Sequence, residues 1–167
     1  LEFYSIKVPG GPLTEHLQKI RPGDTIWMRR KPTGTLVLDA LLPGRNLWMF
    51  AVGTGIAPFA SLIRDDEIFE KYDEVYLTHT CRQVDDLTYG IDRIAEAKSC
   101  PLVGEEATAK LVHYGSVTRE PYKYEGRITT LIENGKFFKD LGIPEFDRET
   151  DRIMICGSLE MLHDLQK

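Results

Sequence analysis

Cysteine is scarce in this chain: three in 167 residues (Cys81, Cys100 and Cys156), an odd number with no C-x-x-C pair. That argues against a disulfide framework and against zinc or iron–sulfur ligation, and it fits a reducing, cytoplasmic setting. The four histidines (His16, His79, His113, His163) show no metal-ligand spacing and read as unrelated to one another. Long apolar runs are also missing. Nothing approaches the roughly 20 residues needed to span a bilayer. The opening Leu1-Glu2-Phe3-Tyr4 lacks a basic-then-apolar signal pattern, so no membrane association is expected. Nor is there an excess of positive charge. Lys+Arg 21 against Asp+Glu 26 gives −5, which argues against a general nucleic-acid binder while leaving room for a local basic pocket.

What is present is enough for a core: 42% hydrophobic residues beside an ordinary 28% charged. At about 150 residues per domain the length predicts one domain or two small ones. Two stretches, 1–44 and 45–167, read differently. The first holds the strand-like runs Glu2–Val8, Thr25–Met28 and Thr35–Leu38, with a short helix over about 13–20. Between the runs lie the turn signals Pro9-Gly10-Gly11-Pro12, Pro22-Gly23-Asp24 and Pro32-Thr33-Gly34. Short strands between Pro/Gly turns predict part of an antiparallel barrel or sandwich, with Phe3, Ile6, Ile26 and Leu36 in its core.

From residue 45 strands and helices alternate. Leu47–Val52 is a continuous apolar run, as expected of a strand buried on both faces. Glu74–Thr80, Leu111–Tyr114 (running towards Val117) and Arg152–Cys156 follow as further strands. Helices are expected over 58–69, 84–97 and 128–138, with Ser158 as N-cap of a last one. Such alternation predicts an α/β fold, a doubly wound parallel sheet. Leu1 stands inside a strand-like run and Lys167 inside an apolar-periodic helix, so the expected reading is a piece of a longer protein.

In an open parallel sheet, ligands bind at the carboxyl ends of the strands. After the first strand comes Gly53-Thr54-Gly55-Ile56-Ala57-Pro58. The glycines allow a tight turn and close approach of backbone to a phosphate, with a helix N-terminus behind them. Alone, the pattern also fits a purely structural turn, and Pro58 stands where a third glycine is usual. After the third strand come Thr118 and Arg119, and eight residues beyond Arg119 comes Arg127. Two arginines and a hydroxyl suit a phosphate dianion, although surface arginines are commonly just solvated. The second strand ends His79-Thr80-Cys81-Arg82 without the carboxylate that an NAD site places there, so the pattern favours NADP. After the fourth strand, Cys156-Gly157-Ser158 would let a flat ring approach the backbone; a buried structural cysteine is the alternative.

In their order and approximate spacing, Gly53–Phe59, Val117–Glu120, Gly126-Arg127-Ile128 and Cys156-Gly157-Ser158 resemble the ferredoxin–NADP reductase family. Gly11-Pro12-Leu13-Thr14 and Arg30–Leu38 resemble its bacterial ferredoxin/flavodoxin branch. The resemblance covers nearly the whole chain. It implies an FAD-holding antiparallel barrel and an NADP-holding doubly wound domain, with electrons passing between NADPH and ferredoxin or flavodoxin. It implies that Gly53, Thr54 and Gly55 line the diphosphate and nicotinamide path, and that Thr118, Arg119 and Arg127 hold the adenosine 2′-phosphate. Cys156 and Gly157 would flank the nicotinamide–flavin contact, with Cys156 and Thr54 beside the chemistry, and Leu13 and Thr14 would approach the FAD diphosphate. The family's Arg-x-Tyr-Ser flavin motif and its C-terminal segment over the flavin are not found, so the chain reads as the NADP domain with less than half of the barrel. Arg29, Arg30 and Lys31 are candidates for steering an acidic carrier. The reductase component of an oxygenase and a nucleotide-binding module without activity are the alternatives.

Overall fold

Asn46–Val52 forms β1, an inner strand whose apolar run is buried because helices cover both faces of the sheet. β2 (Glu74–Cys81) and β4 (Asp151–Cys156) flank it, and β3 (Leu111–Val117) lies outside β2. The order is β3-β2-β1-β4 and every pairing is parallel. Ala51 stands opposite both His79 on β2 and Cys156 on β4. Strand order therefore reverses at β1: the chain steps outward through β2 and β3, then returns to the other side for β4. The α/β class and the four parallel strands expected from the sequence are present.

The computed structural model describes residues 2–31 and 33–165. Leu1, Pro32, Gln166 and Lys167 lie outside the described residues, and with them the expectations placed on the two chain ends and on the proline of the third turn. Two compact units are present, Leu1–Thr35 and Leu36–Lys167. The second begins nine residues before the 44/45 division read from the sequence, because Leu38 is buried and Arg152 gathers the carbonyls of Leu42 and Pro43.

In the first unit the helix is a single turn, α1 (Thr14–Leu17), and the Thr14 hydroxyl is bonded to the Val8 backbone. Among the described residues of this unit no strand is formed over the runs expected to be strands. A strand pattern is a demand for partners: without a paired ladder the backbone groups turn to water and the apolar side chains stay exposed. Phe3 and Ile26, expected in a core, are exposed, and Trp27 is 98% exposed.

Helices cover both faces of the sheet. On one face α2 (Ile56–Leu62), α3 (Asp66–Lys71) and α5 (Gly104–Lys110) pack on β1, β2 and β3. α4 (Thr88–Lys98) packs against α2 and α5. On the other face Trp48, Phe50 and Tyr114 meet Ile128 and Leu131 of α6 (Ile128–Glu133), Phe137 and Phe138 of α7 (Lys136–Leu141), and Met161 of α8 (Leu159–Leu165). Trp48 stacks on Tyr76 at 3.8 Å between ring centroids, and Phe137 meets Tyr114 edge-on at 5.0 Å. Such pairs contribute about 0.5–1.5 kcal/mol each beyond burial.

Three expected helices are interrupted. The 58–69 helix breaks before Asp65, whose carboxylate accepts the Glu67 N–H and starts α3. The 84–97 helix opens with a tight 3₁₀ turn, Asp85–Leu87. The 128–138 helix is split by Gly135, whose φ of +74° no helix accommodates. Ser158 caps α8 as expected, accepting the Met161 N–H at 3.2 Å.

Tyr114 links the aromatic face to α7: its hydroxyl donates to Asp140 Oδ2 at 2.9 Å, where Lys136 also binds. Tyr114→Phe deletes that bond and leaves the ion pair in place. We expect a loss of about 1–2 kcal/mol in urea unfolding. Unchanged stability would show that the bond contributes nothing.

Candidate functional site

The point where strand order reverses brings the ends of β1 and β4 side by side. Gly53–Gly55 leaves β1 as a 3₁₀ turn, with Gly53 at φ +55° and the Ile56 N–H closing onto its carbonyl. A Cβ at Gly53 would meet nothing within 4 Å, so the backbone there faces open space. At Gly55 the reverse holds. A Cβ would lie 2.0 Å from the Cys156 carbonyl oxygen, so the turn lies directly against the end of β4. Gly157 likewise sits close to Val52 and Met161. Of the expected residues, Gly53, Thr54, Gly55, Cys156 and Gly157 are therefore brought together. Thr54 is half-buried in the turn. Burial pushes the Cys156 thiol pKa up, so the group remains a neutral thiol at pH 7.

The second cluster lies at the end of β3. The Thr118 and Arg119 N–H groups donate to the carbonyls of Cys81 and Arg82, at 3.1 and 3.0 Å, extending the pairing past the strands. The Thr118 hydroxyl donates to the same Cys81 carbonyl. The next loop folds back: the Gly126 N–H donates to the Val117 carbonyl at 2.9 Å. Thr118 and Arg127 therefore leave the base of one loop as neighbours, with the exposed Arg119 alongside. Arg127 meets Glu160 of α8 at 3.2 Å, and both groups are about two-thirds exposed. Such a pair is worth about 0–1 kcal/mol, so a phosphate dianion can displace the carboxylate. Leu13 and Thr14 lie in the other unit, Leu13 exposed and the Thr14 hydroxyl engaged by Val8.

Two participants were not signalled by the sequence. His79, read as one of four unrelated histidines, is fully buried, and its Nε2 lies 2.9 Å from the Gly53 carbonyl. Glu160 is the carboxylate that faces Arg127. Neither stands at a sequence spacing that pairs it with its partner; only strand register and helix docking do.

A parallel sheet with a glycine turn at its reversal point, and cationic groups on the same carboxyl edge, defines a doubly wound nucleotide-binding domain. The family model described as an oxidoreductase NAD-binding domain matches residues 49–167, and the chain belongs to that family. It is 54% identical to a flavodoxin/ferredoxin–NADP reductase of Rhodobacter capsulatus, over 100% of this chain and 62% of the relative. It is 47% identical to a ferredoxin–NADP reductase of Azotobacter vinelandii, over 98% of this chain and 64% of the relative. A crystal structure of a ferredoxin NADP+ reductase from Neisseria gonorrhoeae with bound FAD and NADP matches with a TM-score of 0.80 and 29% identity. That match covers 95% of this chain and 61% of the other. The chain thus spans about 60% of the length of these relatives.

Proposed function

We propose that this chain is the NADP(H)-binding part of an FAD-dependent oxidoreductase that exchanges electrons with ferredoxin or flavodoxin. The observation that carries the reading is the shared carboxyl edge. It holds an open glycine turn against Cys156 and, at the end of β3, two arginines beside a hydroxyl. Gly53–Gly55 offers its backbone to the diphosphate, since no side chain fills the space over Gly53. Arg119 and Arg127 clamp the 2′-phosphate, with Arg127 leaving Glu160 to do so. Cys156 and Gly157 keep the β4 end low enough for a flat ring to lie over it. Cys156 stays neutral there and adds no charge against the ring.

When bound, the nicotinamide supplies a hydride, and the flavin of the whole protein couples it to single electrons for the carrier. Leu13 and Thr14 are proposed to approach FAD. The Thr14 hydroxyl already donates to the Val8 carbonyl. The exposed Arg29, Arg30 and Lys31 are proposed to steer an acidic carrier in the cytoplasm, and no nucleic acid or membrane partner is proposed. Among the described residues no helix is long and apolar enough to cross a membrane.

Arg119→Ala tests the assignment. NADP+ affinity is expected to fall by about 1.5–3 kcal/mol, the range for a hydrogen bond to a charged group, while NAD+ binding stays unchanged. Equal losses for both nucleotides in a titration would refute it. A visible spectrum of the same sample reads the flavin half: absorbance in the blue marks a redox protein, and a colourless sample marks a nucleotide-binding module.

A further inference from the structure

Beneath the glycine turn lies a buried polar group that the reading above does not use. His79 is fully buried on β2, opposite Ala51 of β1 and Gly115 of β3. Its Nε2 lies 2.9 Å from the Gly53 carbonyl and 3.1 Å from Cys81 Sγ. On the other side of the ring, α4 comes so close that a Cβ at Gly90 would lie 2.8 Å from Nδ1. Nδ1 is buried and has no partner.

These contacts fix the tautomer. A carbonyl oxygen can only accept, so Nε2 carries the hydrogen and donates to Gly53, and the bare lone pair of Nδ1 faces Gly90. Burial holds the imidazole neutral by lowering its pKa, and it raises the Cys81 thiol to about 12, so the second neighbour of Nε2 is uncharged too. The Gly53 carbonyl thus receives two donors, the Ile56 N–H that closes the turn and the His79 N–H from below. One carbonyl held at two points fixes the planes of the peptides around it. The peptide so fixed belongs to the residue in the left-handed conformation, whose other side faces open space.

We propose that His79 is a positioning residue: through the Gly53 carbonyl it sets the peptides of the Gly53–Gly55 turn against the diphosphate of a dinucleotide. The proposal rests on the nucleotide-site reading above. A core histidine that merely fills space would support every part of the site alike. A positioning histidine acts only on the portion of a ligand that meets the turn.

Two probes separate these cases: NADP+, which carries the diphosphate, and 2′-phospho-AMP, which carries the adenosine 2′-phosphate without it. Both are titrated into the chain and its His79→Leu and His79→Gln variants, with thermal unfolding measured alongside. His79→Leu is expected to weaken NADP+ about tenfold, the loss of roughly one hydrogen bond, and to leave 2′-phospho-AMP within twofold. His79→Gln, whose amide N–H reaches the same carbonyl, is expected to restore NADP+ to within about threefold. Should His79→Leu fail to fold, His79→Asn replaces it: its amide stops a methylene short of Gly53, so the NADP+ to 2′-phospho-AMP affinity ratio should fall in Asn and not in Gln. Equal losses for both probes, or no loss in a folded variant that lacks the donor, overturn the proposal. Failure of the unsubstituted chain to bind 2′-phospho-AMP instead overturns the nucleotide-site reading on which it stands.

Discussion

Gly55→Ala is expected to destabilise the protein by about 2–3 kcal/mol, the upper part of the range for overpacking a filled core. Two effects oppose each other at this position. Gly55 sits at φ −62° and ψ −8°, a conformation alanine adopts readily, so the loss of chain entropy in the unfolded state favours the variant by about 0.4–1 kcal/mol. Against that, the new methyl carbon would lie 2.0 Å from the Cys156 carbonyl oxygen and 2.7 Å from its carbon. Both are backbone atoms in a strand paired to β1, so relief requires β1 and β4 to part where Ala51 faces Cys156. The steric cost wins.

Gly53→Ala supplies the contrast. There a methyl group meets nothing within 4 Å, but the residue holds φ +55°, which costs an alanine about 1–2 kcal/mol. Urea unfolding should therefore rank Gly55→Ala as the more damaging change. At roughly 2–4 °C per kcal/mol for a chain of this size, its melting temperature should drop by about 4–12 °C. A Gly55→Ala protein as stable as the unsubstituted chain would mean that the turn does not abut the end of β4.

The two glycines mark what could be read in the sequence and what could not. Their position after an apolar run located the turn, because a strand buried on both faces is written in consecutive residues. That one glycine is needed for its dihedral angle and the other for its missing side chain depends on Cys156, a hundred residues away, and on the register that places it there. Helix interruptions were hidden for a related reason. Gly135 and Asp65 sit inside stretches whose apolar spacing continues through them, and only the backbone shows the break. α5 carries no periodic signal because its seven residues bury little besides Gly104 and Ala107, too few to set a period. The strand signals of the first 44 residues express β-propensity alone, and propensity cannot supply a partner strand. His79 was the least legible: no motif joins it to Gly53, and the pairing of β1 with β2 alone sets it beneath the turn.

Acid should weaken the fold across a window set by two histidines. Burial drives His113 from its ordinary value near 6.5 down to about 4, helped by the neighbouring His79 and by Lys98. Burial lowers His79 too, partly offset by its bond to the Gly53 carbonyl and by Asp86. His79 is fully buried on the inner strand β2, and His113 is half-buried on the outer strand β3 with its Nε2 unpartnered. Below pH 6.5 the unfolded chain takes up protons that the folded one refuses, so stability is complete above that pH and falls as the pH drops towards 4. For His113 alone the loss between pH 6.5 and 4.5 is about 2 kcal/mol, and His79 adds a loss of the same sign. Exposed carboxylates gain most of their protons below this window, but the cleanest measure is a difference. Urea unfolding of the chain and of a His113→Gln variant, each from pH 4.5 to 7.5, should give a steep profile for the first and a flatter one for the second. The two curves should converge towards the acid end, since glutamine carries no proton-uptake penalty there. Parallel profiles would mean that His113 titrates near its ordinary value in the folded protein, and that its face of the sheet admits water.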